Sequence, residues 1–495
     1  MTDANRLRVS SIREVTPGTT PATPRMRTAR ITGEGLEWSP NYIENPEMRS
    51  DRMNSDPAKV GETNAGPLNY VLSYPVPDSH LADVFQSAFY NDWVDTPNRF
   101  NDGVADSVVT AVAAAGQTIA CTTGPSFVVG HLVACSGFTA SANGSGAPNA
   151  PVLRRCTGAS ATLPVFATSG LVDEAAPPAQ ARIKVVGFEG VAGDITAVAG
   201  GLASTTLNFT TLGIVPGMWL KVGGAGAGFR FANVPANNDW VRVSGPVTAT
   251  SIPCDNLPVG WGVDNGATKT IRVFFGDYLR NGVTPRHLSI EKAFLGQAVP
   301  SYFLHKGQVA NEFTIGIEDQ QFISLSANYL GLDVAIGTVA NGNSYDAETT
   351  NRAMTANAHV GRLSENGAAI IGPSWIKGFS VKINNGGRAN TVPGKVAPAY
   401  IGHGSNKITV LVPNYFGDLT FVNKLKNGTV SNLGSIQTID SQAVIFTLPR
   451  VTFSKGSPKG EGKDTDVMLP MEGMISKDTL TACQMQVDRV EYFEV

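Results

Sequence analysis

The chain has 495 residues, 42% of them apolar and 16% charged, with a net charge of −3. That length predicts two to four domains, and the lack of a basic excess argues against gripping nucleic acid by bulk attraction. Gly 53 and Pro 30, beside plentiful Asn, Thr, Ser and Val, favour strands and turns over helices.

The opening MTDANRLRVSS has no apolar signal-peptide core, and no run reaches the ~20 apolar residues of a membrane span. From Glu14 the chain reads EVTPGTTPATPRMR. Its prolines and glycine bar a helix, so it reads as a stiff polar arm flanked by strands. The stretch from about Asn45 to Thr63 mixes Glu47, Arg49, Asp51, Arg52, Asp56, Lys59 and Glu62. Folded back on itself it reaches on the order of 30 Å at ~3.3 Å per residue. In DSHLADVFQSAFY, Leu81, Val84, Phe85, Ala88 and Phe89 fall at helical spacing, with Asp78 or Ser79 as N-cap.

Between about Val108 and Gly282 the sequence repeats itself. Gly130 aligns with Gly217, Gly137 with Gly224, Arg155 with Arg242 and Gly158 with Gly245, all at one offset. Two tandem β-modules, each a small barrel or sandwich, are expected at 108–195 and 196–282. The flanks, 1–107 and 283–495, then form one domain in two pieces that carries the modules outward. Trp219, Trp240 and Trp261 are candidate sugar-stacking faces, although Trp219 and Trp240 align with Leu132 and Leu153, which suggests core positions.

After the repeat, period-2 patterns mark strands in 313–334, 377–384, 406–416 and 442–454, and along the closing TACQMQVDRVEYFEV. A short helix ending at Gly428 is expected within 415–428. Cys121, Cys135, Cys156, Cys254 and Cys483 have no C-x-x-C spacing and read as buried free thiols in a reducing cytoplasm. No nucleophile elbow, phosphate loop or clustered metal ligands stand out, so the chain is read as non-enzymatic, with no catalytic residue, metal or cofactor.

The amino-terminal run RVSSIREVTPGTTPATPRMR resembles that of the tail tube proteins of long non-contractile-tailed bacteriophages. Glu14, Gly18, Thr19 and Pro21 match the family's Glu-x-x-x-Gly-Thr-x-Pro opening. The charged loop, returning strand and single helix follow, with Pro46-Glu47-Met48-Arg49 in place of a Ser-Glu-Ile-Arg-type element and its serine absent. SIEKAFLGQ with SYFLHKGQVANEFTI, then FTLPRVTFS and KDTDVMLPMEGMISK, resemble its central strand pair and closing segments.

The resemblance implies a mainly β fold, a tail-tube β-sandwich or barrel core with one flanking α-helix and the inserted modules. It implies hexameric rings stacked into a tube that conducts DNA without binding it. The implied partners are further copies, a tape measure protein, a tail terminator and tail-tip proteins, in a virion tail assembled in the bacterial cytoplasm. Glu14, Pro17, Gly18, Thr19 and Pro21 become a candidate arm against a neighbouring subunit, removable by deleting residues 1–25 without unfolding the monomer. Glu47, Arg49, Asp51, Arg52, Asp56 and Lys59 become a candidate contact to the next ring; a solvated hairpin tip is the other reading. Glu318 and Asp319 are placed on inner strand faces, and the external modules are candidates for weak glycan contact. A capsid decoration, a tail-tip component and a β-rich glycan-binding protein remain as alternatives.

Overall fold

The structure, a computed structural model, describes residues 4–103, 108–148, 150–167, 170–370, 372, 375–460 and 462–493. The expected boundary at residue 107 falls outside the described residues. Among the described residues strands dominate, as the composition predicts, in one 19-stranded and one 13-stranded hydrogen-bonded network and one two-stranded ribbon.

The larger network is built from the flanks and Asp277–Arg280 around the long Ser301–Glu318 strand, while Asn98–Phe100 of the amino-terminal flank pairs in the smaller one. The carboxyl half of that strand lies between Ser324–Leu330 and Gly378–Asn384, and its amino half between Leu288–Phe294 and Asp333–Gly337. From Gly378–Asn384 the ladder continues through Lys407–Tyr415 and Met468–Ile475 to Gln442–Lys455. The amino-terminal strand Leu7–Arg13 sits inside the network, paired with Leu288–Phe294 over seven residues and with Arg25–Thr28. The stretch 313–334 holds the end of Ser301–Glu318, all of Ser324–Leu330 and the start of Asp333–Gly337; after the first of these Gln320 adopts φ 59° and Gln321 N donates to Glu318 O at 3.2 Å, closing a turn. Asp319 is therefore in a turn, where Asn357 Nδ2 donates to its carboxylate at 2.7 Å, and not on a strand face.

The helix His80–Phe89 forms where its spacing predicts. Ser79 Oγ accepts from Ala82 N, and Tyr90 ends the helix at φ 53°. Phe85 packs against Trp93, Phe313 and Phe446 in the core of the larger network. The short Thr420–Asn427 helix ends at Gly428, as expected.

The inserted strands differ from two separate barrels, because both repeats share one sheet and one core. The first repeat pairs in the order Val109–Ala113, Thr118–Cys121, Val165–Phe166, Val152–Gly158, His131–Ser136 and Arg182–Glu189. The second runs Thr196–Val198, Gly201–Ala203, Ser251–Asp255, Trp240–Val243, Trp219–Val222 and Arg272–Phe274. The two last-named strands pair antiparallel with each other, so the strand order is a palindrome about that junction. Equivalent registers match: Leu132 faces Arg155 as Trp219 faces Arg242. The repeated glycines Gly130 and Gly217 have φ 94° and 92°, a conformation costly for other residues. Their amides make the same bond, to Cys156 O at 2.9 Å and to Val243 O at 2.8 Å.

This sheet lies with a broad face against the larger network. His131–Ser136 is buried on both faces: Val133 and Cys135 enter the insert's own core, while Leu132 and Ala134 join a second cluster with Ile436, Ala443, Ile445 and Val490. Two-sided burial of short antiparallel strands needs a covering layer on each side, and the flanking sheet supplies the second one.

Candidate assembly surfaces

The amino-terminal arm folds onto its own chain. Glu14 accepts through Oε2 from Gly18 N at 2.6 Å, and through Oε1 from Ser289 Oγ at 2.6 Å and Gly307 N at 2.9 Å. Gly18 sits at φ 78°, where a Cβ would also lie 3.2 Å from Leu332 Cδ1. One carboxylate thus ties a tight turn to two strands, and the Glu-x-x-x-Gly spacing exists because side chain and amide must meet across that turn. Thr20 Oγ1 and Ser289 Oγ, 2.7 Å apart, extend the anchor. What faces solvent is Val15, 96% exposed, with Pro17 and Thr19; Pro21 is half-buried.

The charged stretch is the end of a hairpin. Glu37–Ile43 pairs with Ala58–Val71 from Glu37↔Ala65 to Ile43↔Ala58, which places Lys59 on a strand and not in the loop. Glu47, Arg49, Asp51, Arg52, Asp56 and Lys59 are all exposed. Arg49 pairs with Asp51 at 2.8 Å, a local bond that stiffens the loop without tying it to the body. At the root, Trp38 Nε1 and Lys59 Nζ both donate to Glu62 Oε2, at 3.0 and 2.9 Å. The end is also apolar: Tyr42, Ile43, Met48, Met53 and Val60 are each at least half exposed.

Charges that no sequence motif marks are buried where the two sheets meet. Asp277 Oδ2 accepts from Lys184 Nζ at 2.9 Å and Arg489 Nε at 2.8 Å. Lys184 also reaches Glu491 at 3.3 Å, and Arg489 reaches Asp95 at 2.7 Å. Burial alone would raise the Asp277 carboxyl; Lys184 and Arg489 outweigh it and hold it well below the usual carboxylate range. Lys184 belongs to the insert, Asp277 and Arg489 to the flanking network, so the cluster fixes one sheet on the other. Arg362 adds bonds to Trp240 O at 2.9 Å and Asn256 O at 2.8 Å.

Trp219 and Trp240 belong to this junction. They are 1% and 5% exposed, and Trp240 packs edge-on against Tyr492 at 5.4 Å. Neither offers a face to a sugar, which corrects that part of the stacking expectation and agrees with their alignment with leucines. Trp261 is half-buried, and its indole N–H is already given to Val198 O at 2.8 Å. All five cysteines are buried and free, and burial raises each thiol above its ordinary value. Among the described residues no three His, Cys, Asp or Glu side chains gather as a metal site.

A family model described as phage tail tube protein matches residues 4–475. The chain belongs to the phage tail tube protein family. It is accordingly a non-enzymatic structural component of the virion tail. No curated protein matches the chain. In this tail tube protein the pinned turn and the hairpin are the features that the family's motifs picked out. The sheet-to-sheet junction left only an indirect trace in the sequence, the two tryptophans standing at leucine positions.

Proposed function

We propose that this tail tube protein assembles as hexameric rings that stack into a hollow tube and conduct DNA into the host. The observation that carries the reading is the hairpin ending at residues 44–57. It projects apolar and charged side chains into solvent from a braced root. Alternating charges at such a tip set register between copies more than affinity. The pinned turn offers Val15 and Pro17 as a second contact, to a neighbour in the same ring. A chain of net charge −3 suits a conduit that must release what passes through it. In this reading residues 1–107 and 283–495 form the tube, and modules 108–195 and 196–282 decorate its outside. The remaining partners are the tape measure, terminator and tail-tip proteins. Negative-stain electron microscopy of the concentrated full-length protein tests this: hollow rods with a regular axial repeat and outer knobs are expected. Closed trimers or a permanent monomer in the presence of a tail-tip nucleus would refute it.

A further inference from the structure

Two strands in series flank one side of Ser301–Glu318. Ser324–Leu330 is covered on its far side by Ala58–Val71, from Ser324↔Val71 to Leu330↔Ala65. There the cover ends. Gly331 N donates to Asn64 O at 2.8 Å and Asn64 Nδ2 donates to Asp333 O at 2.7 Å. Beyond Asn64 the covering strand diverges from it, still paired along its other edge with Glu37–Ile43, and Glu62 N donates to Val396 O at 3.1 Å. The second strand, Asp333–Gly337, is left with Ser301–Glu318 as its partner strand among the described residues. Asp333 Oδ1 accepts from Val334 N at 2.8 Å, a local substitute for a missing strand.

Native edges are normally blunted by proline, lysine or bulges, because an open edge recruits another strand. The run DVAIGTV, 333–339, has neither proline nor lysine, and Ile336 and Val339 are 54% and 77% exposed. Two other edges are protected: Glu37–Ile43 carries Pro40, and Asp277–Arg280 is met by a bridge between Val94 and Tyr278. The hairpin that diverges beside the open edge displays Tyr42 and Ile43 on one strand and Val60 on the other.

We infer that the open edge of Asp333–Gly337 is an assembly site filled by the hairpin end, residues 42–60, of a second copy. The inference rests on the tube reading and names the two surfaces that meet in it. Donor and acceptor lie at different places on one chain, so the contact is heterologous and propagates from copy to copy. The ribbon beyond Asn64 projects about 23 Å at ~3.3 Å per residue, enough to reach across a subunit boundary. Backbone pairing supplies affinity, and Tyr42, Ile43 and Val60 cover Ile336 and Val339.

Cysteine pairing tests it in the full-length chain, whose native thiols are all buried. Ile336→Cys is combined in turn with Tyr42→Cys, Ile43→Cys and Val60→Cys, and assembled protein is mildly oxidised. A ladder of covalent multimers is expected from at least one pair, and none from the single variants. Separately, Ile336→Lys and Thr338→Lys place a cation on the edge; folded monomers by circular dichroism with loss of tubes are expected. Wild-type tubes with no ladder from any pair, or lysine variants that polymerise like wild type, would overturn the edge assignment alone. Wild-type protein that forms neither rings nor tubes would overturn the tube reading and this inference with it.

Discussion

Trp219 Nε1 donates to Thr447 Oγ1 at 2.8 Å, across the junction between the inserted sheet and the flanking one. The indole also fills the cluster that holds the two sheets face to face. Trp219→Ala should cost about 3–5 kcal/mol, as expected for a buried large aromatic. Trp219→Phe keeps most of the apolar area and loses one hydrogen bond, about 1 kcal/mol. Denaturant unfolding checks both, and an alanine variant as stable as wild type would mean that the sheets do not depend on this contact.

The anchor of the amino-terminal turn predicts two separate losses. Gly18→Ala must hold an L residue at φ 78° against Leu332, a cost of about 1–2 kcal/mol. Glu14→Ala orphans the Gly18 and Gly307 amides and should cost about 1–3 kcal/mol. Because both act through one turn, the double variant should lose less than the sum. Additive losses in thermal or denaturant melts would show that the carboxylate and the glycine act independently.

The two halves of the insert share a pin. Asn143 Nδ2 donates to Val172 O at 2.9 Å and its Oδ1 accepts from Val172 N at 2.9 Å. Asn237 does the same with Gly262, at 2.9 and 3.0 Å. Two residues further on, Glu174 and Asp264 cap the loops beside each asparagine. Asn143→Ala and Asn237→Ala should each cost about 1–3 kcal/mol and agree within about 1 kcal/mol. A large inequality between them would break the equivalence of the pins.

Those pins were not legible in the sequence, although the repeat was. Gly130 and Gly217 stand out because a positive φ restricts a position to one residue type. Asn143 and Asn237 stand at different places in segments of equal length, one nearer Gly137 and the other nearer Arg242, so the offset that aligns the glycines does not align them. The helix at His80–Phe89 was legible for a local reason, since its apolar spacing and its cap lie within one stretch. The closing strand was legible only in part. Gln486 and Asp488 alternate with Met485 and Val487 and read as a wet face, yet both are 1% exposed. The insert covers them, and Gln486 Nε2 donates to Gly217 O at 3.0 Å. Periodicity reports where one layer of core lies; it does not report a second layer brought from far along the chain. The Glu14 motif was visible as a pattern, but its direction, inward to its own strands, depended on long-range partners.

Buried histidines set a pH dependence. Burial, with the nearby Arg27 charge, lowers His80 to about 3; burial with Lys292 lowers His305 to about 3; burial lowers His131 to about 4. The unfolded chain binds these protons near pH 6.5 and the folded chain resists them, so stability falls as pH drops from 6.5 toward 4. Asp488 acts oppositely. Burial raises it to about 7, so it favours the fold below its ordinary 3.8 and loses that contribution as pH rises from 3.8 through 7. Asp488→Asn should therefore raise the melting temperature more at pH 8 than at pH 4.5, relative to wild type. An equal shift at both values would place the Asp488 titration outside this window.

The amino terminus separates folding from assembly at single residues. Deleting residues 1–25 removes Leu7–Arg13, which pairs with two strands and buries Val9, Ser10 and Ser11. Ser11 Oγ also lies 2.6 Å from His80 Nδ1, beneath the helix. The truncated chain should therefore be unfolded or aggregated, contrary to the expectation of a removable arm. Val15 is different: it is 96% exposed just before the Thr16–Thr19 turn, whose neighbours are pinned. Val15→Glu should change the melting temperature by no more than an ordinary surface substitution does, within about 0.5 kcal/mol. If Val15 meets a neighbouring copy, a buried unpaired carboxylate there is costly, and polymerisation at a given protein concentration should fall at least tenfold. Sedimentation of assembled material measures this directly. Normal tubes from Val15→Glu would confine the turn to bracing its own subunit.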